Sequence, residues 1–185
     1  MIRRFCVSML LLVFCFLGLI FSKSTLAQDT APTFSSVSNI SSFELFWPIV
    51  AGRVSGEPLY PLKIFKEKIK GVLIFRDIKK SEYNLFISEK RVVEFEKLSL
   101  VNKDFVNAAK TLDVAKFYHS KTLSYLEKAK VGGKMVGPTR ERIIMSFNNQ
   151  ILLLKDIASK VNDDQKQSLT EVIFSLGSEI EKLKE

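Results

Sequence analysis

The amino-acid sequence predicts an all-α fold, a bundle of four to five amphipathic helices that follows a signal peptide and a short flexible spacer. Two observations lead to this prediction. Apolar residues recur at intervals of three and four from Pro58 to the end of the chain, which places them on one face of each helix. After Gly71, no alternation of apolar and polar residues, the pattern of a half-buried strand, competes with that spacing.

The first 27 residues have the order of a secretory signal. Arg3 and Arg4 precede an uncharged apolar run at residues 5–21, and Ala27 supplies a small residue at the predicted cut. The run is shorter than the roughly 20 apolar residues that usually span a membrane. We therefore expect an exported chain that is cleaved near Gln28. An uncleaved N-terminal anchor is the alternative.

Composition narrows the classes of partner. Both cysteines, Cys6 and Cys15, lie in the predicted signal, so the mature chain would contain no disulfide. Loss of three basic residues with the signal lowers the formal charge from +8 to +5. Nucleic acid is not an expected partner of an exported chain. A modest positive charge leaves a protein, a wall polymer or an anionic membrane surface as the partners to consider.

Residues 28–42 are rich in Ser and Thr without a helical period, which predicts a flexible spacer, and the α-helical domain is expected over residues 43–185. An apolar segment, residues 43–58, comes next and is broken by glycines, which indicates a structured loop or a short extended arm rather than a helix. Its aromatic residues Phe46 and Trp47 lie outside every helical stripe. We expect them to dock over one end of the bundle, and we keep them as candidate partner-binding residues, because Trp and Phe are common in binding hot spots.

Five helices are predicted in the remainder of the chain. The first runs to about Phe75, and its apolar stripe is expected to pack on the core. The second is expected near residues 82–100 with Ser81 as its cap, the third near residues 103–130, and the fourth over residues 139–161. The fifth follows a turn at Asn162. The last two helices (about residues 139–185) should form an antiparallel hairpin, with Phe147, Ile151 and Leu154 facing Leu169, Val172, Leu176 and Ile180.

The sequence offers few groups for chemistry. His119, the single histidine, falls on the apolar stripe of the third helix, where a half-buried structural histidine is expected and a pH-sensing role is the alternative. Gly132-Gly133-Lys134 lacks the spacing of a phosphate-binding loop, and no Gly-x-Ser-x-Gly elbow is present. We therefore expect no catalytic residue, no metal site and no cofactor.

One stretch resembles a known family. Gly56-Glu-Pro-Leu-Tyr-Pro-Leu-Lys63 is followed, about twenty residues later, by a helix that carries Arg, two residues and Glu. This is similar to a bacterial domain of unknown function found in exported proteins, over about residues 46–100. The resemblance implies export, an α-helical hairpin and no known activity. We interpret the matching residues as structural contacts that fix the first helix across the second. They are Tyr60, Leu62, Lys63, Glu67, Arg91 and Glu94. Within each helix, Lys63 with Glu67 and Arg91 with Glu94 have the spacing of ion pairs.

Three hypotheses for function remain open. The first is an exported, non-enzymatic helical domain that binds a protein or another component of the cell envelope. The second is a membrane-associated structural module, held by an uncleaved anchor or by the basic first helix. The third is an enzyme with an unrecognised site, or a stress or metal sensor that uses His119. The oligomeric state is not predicted.

Overall fold

The computed structural model describes residues 40–185, so the predicted signal peptide and nearly all of the predicted spacer lie outside the described residues. The described part contains six α-helices and no strand, which confirms the all-α prediction. The helices are α1 (Ser42–Phe46), α2 (Tyr60–Val72), α3 (Asp77–Glu96), α4 (Phe105–Val131), α5 (Gly137–Ala158) and α6 (Asp163–Lys184). A π-helical segment, Lys97–Val101, continues α3.

The core lies among the four long helices α3 to α6. α3 and α4 pack along each other, α5 packs on both α3 and α6, and buried side chains from all four helices join in one cluster. Two side chains from outside these helices, Phe46 of α1 and Val54 of the loop after it, are also buried in that cluster. The segment between residues 42 and 59 is therefore part of the folded domain.

Side chains and glycine mark the helix ends largely where the sequence suggested. Asn162 caps α6 by accepting a hydrogen bond from the backbone N–H of Gln165 (3.2 Å). Gly133, just after α4, has a φ of 68°, a left-handed conformation that suits glycine. The predicted cap at Ser81 is wrong. α3 begins four residues earlier, and the buried Ser81 hydroxyl donates to the carbonyl oxygen of Thr122 on α4 (2.8 Å).

The two C-terminal helices pack against each other as predicted. They are separated by only four residues, 159–162, and their apolar side chains belong to the common core. Phe147, Leu154 and the facing residues of α6 are buried, while Ile151 is only partly buried at the edge of the core. The apolar period of this hairpin therefore located its buried face.

The first long helix differs from the prediction. Its apolar stripe does not pack on the core, and α2 contains no buried residue. The four side chains of the stripe, between 46% and 72% exposed, are Leu62, Phe65, Ile69 and Val72. The expectation that this stripe is buried is wrong because the opposite, polar face of α2 lies against α3. A second difference is the short helix α1, which occupies part of the segment expected to be a loop.

Candidate functional site

The polar face of α2 meets α3 at a cluster of charged side chains, which we call the ion cluster: Tyr60, Lys63, Glu67, Lys90, Arg91 and Glu94. Arg91 and Glu94 lie one turn apart on α3 and are almost completely buried, with side chains 1% and 0% exposed. Tyr60, Lys63 and Glu67 recur at three and four along α2, which places them on one face of that helix. The cluster therefore joins two helices through charges rather than through apolar side chains.

Glu94 is the centre of the cluster. Its carboxylate accepts hydrogen bonds from the Lys63 ammonium (2.5 Å) and from the Tyr60 hydroxyl (3.1 Å) of α2. It also accepts one from the guanidinium of Arg91 on its own helix. Three donors compensate for the water that this buried carboxylate has lost.

Glu67 is held in the same way from the other side. Its two carboxylate oxygens pair with the ammonium of Lys90 and with the guanidinium of Arg91. The Tyr83 hydroxyl donates to the backbone carbonyl oxygen of Glu67 (2.7 Å). The predicted ion pair between Lys63 and Glu67 within α2 is wrong, because each of these side chains pairs with α3 instead. The predicted pair of Arg91 with Glu94 is confirmed.

Lys63 also fastens the loop that precedes α2. Its ammonium donates to the carbonyl oxygens of Ala51 (2.8 Å) and Arg53 (2.6 Å) as well as to Glu94. One side chain therefore ties the loop, α2 and α3 together. At the far end of α2, a Cβ on Gly71 would lie 3.1 Å from the Tyr83 ring, so glycine permits the close approach of the two helices there.

Burial and charge shift several pKa values in this region. Burial, and then the charge of Glu94, raise the pKa of the Tyr60 hydroxyl. Burial lowers the pKa of Lys63, against the opposing influence of Glu94. For Arg91, burial disfavours the charged form, but Glu94 and Glu67 together outweigh it and raise the pKa. At neutral pH, Arg91 is therefore a permanent cation between two carboxylates.

Five of the six residues that carry the family resemblance come together in this cluster. The exception is Leu62, which lies in the exposed stripe of α2. Sequence reasoning missed one member of the cluster, Lys90, and one neighbouring contact, the bond from Tyr83 to the backbone of Glu67. Lys90 precedes Arg91 directly and could have been found as a second cation beside the motif, whereas nothing in the spacing distinguished Tyr83 from other aromatic residues of α3.

The chemistry of the ion cluster is that of a structural joint. Its two carboxylates are each occupied by two or more donors, so neither is a free base for a reaction. Three cations face two carboxylates, and the buried Nε of Arg91 has no hydrogen-bond partner among the described residues. No pocket described in this part of the chain reaches Arg91 or Glu94.

A second polar network lies inside the bundle. The His119 Nε2 is 2.7 Å from the side-chain oxygen of Gln150, and the Gln150 amide donates to Ser146 (3.2 Å) and more weakly to Ser88 (3.4 Å). The Ser146 hydroxyl in turn donates to Glu89 (2.7 Å). His119 is thus buried more deeply than the half-buried state expected for it.

The burial of this network affects its titrating groups. Burial lowers the pKa of His119 to about 4, against the effect of the bond to Gln150, so the imidazole is neutral at pH 7. Burial also raises the pKa of Glu89, although the Ser146 hydrogen bond and the charge of Arg142 oppose that rise. The centre of the network, His119, Gln150 and Ser146, is therefore uncharged at pH 7 and is held together by hydrogen bonds.

The candidate partner-binding residues Phe46 and Trp47 have separate environments. Phe46 is buried against the bundle, where its helix contacts α3 and α5, whereas Trp47 is 68% exposed. The expected docking of Trp47 is wrong, because its ring instead stacks edge-to-face on Phe43, another exposed ring, with centroids 4.6 Å apart. An exposed aromatic pair is therefore present at the short helix α1, upstream of the first long helix.

Within residues 40–185, no group of three or more His, Cys, Asp or Glu side chains has the arrangement of a metal site. Over the same residues, no helix combines the length and the apolar character required to cross a membrane.

The fold and the ion cluster define a class, that of all-α proteins in which a peripheral helix is fastened to a helical core by buried charges. The chain belongs to the family of the domain of unknown function DUF5667, whose model matches residues 52–173, more than half of the 185 residues. The match covers the ion cluster and continues through α5 into α6, beyond the stretch that carried the resemblance, and it begins after Trp47. Comparison with curated proteins and with solved structures gave no match.

Proposed function

We propose that this protein is an exported, non-enzymatic module that binds an anionic membrane surface through the outward face of α2. The observation that supports this proposal is the exposed apolar stripe of that helix, Leu62, Phe65, Ile69 and Val72. A helix of 13 residues with one apolar face and one polar face has the form of an interfacial helix. In this protein the polar face is already occupied by the bundle, so the apolar face is the one presented outward.

The charges beside the stripe favour an anionic surface. Lys66 and Lys70 flank it on one side and Lys68 on the other, and all three are exposed. None of the three forms an ion pair among the described residues, and the only acidic residue of α2, Glu67, is held in the ion cluster. Each lysine near an anionic membrane contributes roughly 1 kcal/mol of attraction. Insertion of each half-exposed apolar side chain would add about 1 kcal/mol.

The attachment of α2 to the bundle suits this role. The ion cluster fixes the rotation of α2 about its axis, because Tyr60, Lys63 and Glu67 all point to α3. With the helix fixed in this way, its apolar side chains are displayed before any membrane is met. Binding therefore does not require the helix to fold at the surface, which is the costly step for unstructured membrane-binding peptides.

Vesicle flotation tests the proposal. Residues 38–185 form one compact unit that contains the whole described core, so this segment is used after its helicity and melting have been checked. It should float with vesicles of phosphatidylcholine and phosphatidylglycerol and not with phosphatidylcholine alone. Binding should weaken as salt is raised, because the lysines are screened.

A matched pair of variants assigns the binding to α2. The double change Phe65→Ser and Ile69→Ser should reduce the bound fraction at least tenfold. Phe174→Ser, which removes a still more exposed aromatic ring from α6, should leave it unchanged. Equal loss in both variants, or no binding to anionic vesicles, would refute the proposal. Concentration-dependent dimerisation that Phe65→Ser abolishes would assign the stripe to a second copy instead.

The exposed Phe43 and Trp47 pair favours a second candidate, the binding of a protein partner at the bundle end. Trp and Phe are common at the centre of protein interfaces, and these two rings are accessible together. If chemical cross-linking in intact cells, applied to the full chain, captures one defined protein and Trp47→Ala removes it, this second role is supported.

A further inference from the structure

A cleft lies between the C-terminal end of α2 and the first turns of α3. Its volume is about 630 Å³, within the roughly 300–1,000 Å³ of many small-molecule sites. Apolar and aromatic side chains form its walls: Ile74, Phe75, Tyr83 and Phe86. Phe75 is 85% exposed, so one wall of the cleft is an aromatic ring without a packing partner.

The rim of the cleft is strongly basic. Lys70, Arg76, Lys79 and Arg142 line it, against the single carboxylate of Glu82. Lys79 neutralises Glu82 in an ion pair of 2.8 Å. Among the described residues, Lys70, Arg76 and Arg142 form no ion pair, so three cations at the rim are available to an anion.

The cleft continues toward the N-terminal aromatic segment. A second cleft of about 320 Å³, lined by Trp47, Pro48 and Met145 among others, shares Phe86 and Arg142 with the first. The two clefts thus meet at one aromatic ring and one guanidinium. Together they form a groove with Lys70 and Arg76 near α2, Arg142 at the junction, and a second part whose apolar lining also includes the Glu89 carboxyl group.

We propose that this groove binds an anionic amphiphile, a molecule with one acyl chain and an acidic headgroup. The headgroup would lie among Lys70, Arg76 and Arg142, where a carboxylate or phosphate gains charge-assisted hydrogen bonds. The acyl chain would cover Phe75, Tyr83 and Phe86 and continue toward Met145 and Trp47. The cations Lys70, Arg76 and Arg142 suit the acidic headgroup, and the apolar side chains on both sides of Arg142 suit the acyl chain.

An acyl chain suits these walls better than an extended peptide. The parts of the walls in α2, α3 and α5 have their backbone groups bonded within the helices, and residues 74–76 and 47–49 are short connections rather than strands. They offer no free row of donors and acceptors to an added strand. An acyl chain needs no such partners and gains from the removal of apolar surface from water.

Binding of this ligand is independent of the membrane role proposed for α2, since the groove and the stripe use different side chains apart from the shared position of Lys70.

Isothermal titration calorimetry of residues 38–185 with dodecanoate, below its micelle concentration, tests the inference. Acetate supplies the headgroup without the chain, and dodecyltrimethylammonium supplies the chain with the opposite charge. Dodecanoate should bind with one-to-one stoichiometry, at least tenfold more tightly than either of the others.

Two matched pairs of variants locate the site. Arg142→Gln should weaken dodecanoate binding about tenfold, while Arg140→Gln, an exposed change on the same helix outside the groove, should not. Phe75→Ser should weaken it, while Phe174→Ser on α6 should not. The Phe65→Ser and Ile69→Ser variant, which tests membrane binding, should retain dodecanoate affinity. Equal binding of the cationic amphiphile, or unchanged affinity in both Arg142→Gln and Phe75→Ser, would overturn the inference.

Discussion

Polar and charged side chains form the contact between α2 and α3, whereas apolar side chains form the contact between α5 and α6. In the hairpin of α5 and α6, apolar stripes face each other and enter the common core. At α2, the apolar stripe faces outward and six polar side chains form the contact. The same amphipathic spacing therefore marks a buried face in α5 and α6 and an exposed face in α2.

The difference shows what apolar spacing does and does not determine. It establishes that a helix has an apolar side, but the side that is buried depends on the face its neighbour presents. α3 presents Arg91 and Glu94 toward α2, and these charges need partners once they are removed from water. Lys63, Glu67 and Tyr60 provide them, so the polar side of α2 turns inward.

The largest expected effect comes from removing the centre of the ion cluster. Glu94→Ala leaves Lys63 without a carboxylate and the buried Arg91 with Glu67 alone, which should lower the free energy of unfolding by about 3–5 kcal/mol. Urea unfolding measures this loss. Glu96→Ala, two residues further along the same helix and without an ion pair in the described part of the chain, is the control and should cost less than about 1 kcal/mol.

A double variant sharpens this comparison. Replacing both Arg91 with Met and Glu94 with Leu removes two buried charges at once, so its cost should be smaller than the sum of the two single changes. Strict additivity would mean that the two side chains do not interact, contrary to the geometry of the cluster.

The stability contributed by the apolar contact between α5 and α6 should depend on side-chain volume rather than on charge. Leu154→Ala deletes a completely buried side chain of α5 and should lower the free energy of unfolding by about 3 kcal/mol. Leu152→Ala, a change at a 44% exposed position of the same helix, should cost under about 1 kcal/mol. If chemical unfolding showed similar losses for both variants, the assignment of the buried face would be wrong.

The His119 network should make the bundle sensitive to acid. The pKa of His119 is about 4 in the folded chain and 6.5 when exposed, so between these values the unfolded chain binds more protons and stability decreases as the pH is lowered. The loss should be about 2 kcal/mol between pH 7 and pH 5, relative to a His119→Gln variant measured at the same pH values.

This comparison with a variant is needed because neighbouring groups also titrate. The pKa of Glu89 is raised by burial, which acts in the opposite direction, and Lys116, Glu171 and Glu179 border the same cleft as His119. Parallel pH profiles for wild type and His119→Gln would show that the imidazole is not the group that loses stability.

The smallest effect is expected on the exposed stripe. Leu62→Ser should change the free energy of unfolding by less than about 0.5 kcal/mol, because Leu62 is 61% exposed. Ile64→Ser, two residues later and partly buried on the other side of α2, should cost more. A large loss in Leu62→Ser would place the stripe in a contact that the present arrangement of α2 does not contain.

The sequence predicted the helical fold and four of the six helices closely, because α3 to α6 all bury the stripes that their spacing defines. It also selected Tyr60, Lys63, Glu67, Arg91 and Glu94, through the family resemblance. It did not predict how they pair. Spacing along one helix suggested Lys63 with Glu67, but pairing between helices depends on how two faces meet, and no spacing within one helix contains that information.

Trp47 illustrates a second limit. Its size favours burial, yet only Phe46 of the adjacent pair occupies the available space at the bundle end. Phe46 is the last residue of α1 and Trp47 follows it with a non-helical backbone, so the two side chains point in different directions. Sequence could indicate that one of these rings docks, but not which one.

The two faces of α2 have a consequence for relatives of this protein. The inner face carries the residues by which the family resemblance was found, and the outer face carries the stripe and the lysines proposed to meet a ligand surface. Because these sets share no residue except the motif position Leu62, substitutions can accumulate on one face without disturbing the other. Two homologues with the same scaffold can thus diverge in what they recognise, and membership of the family alone does not specify a binding preference.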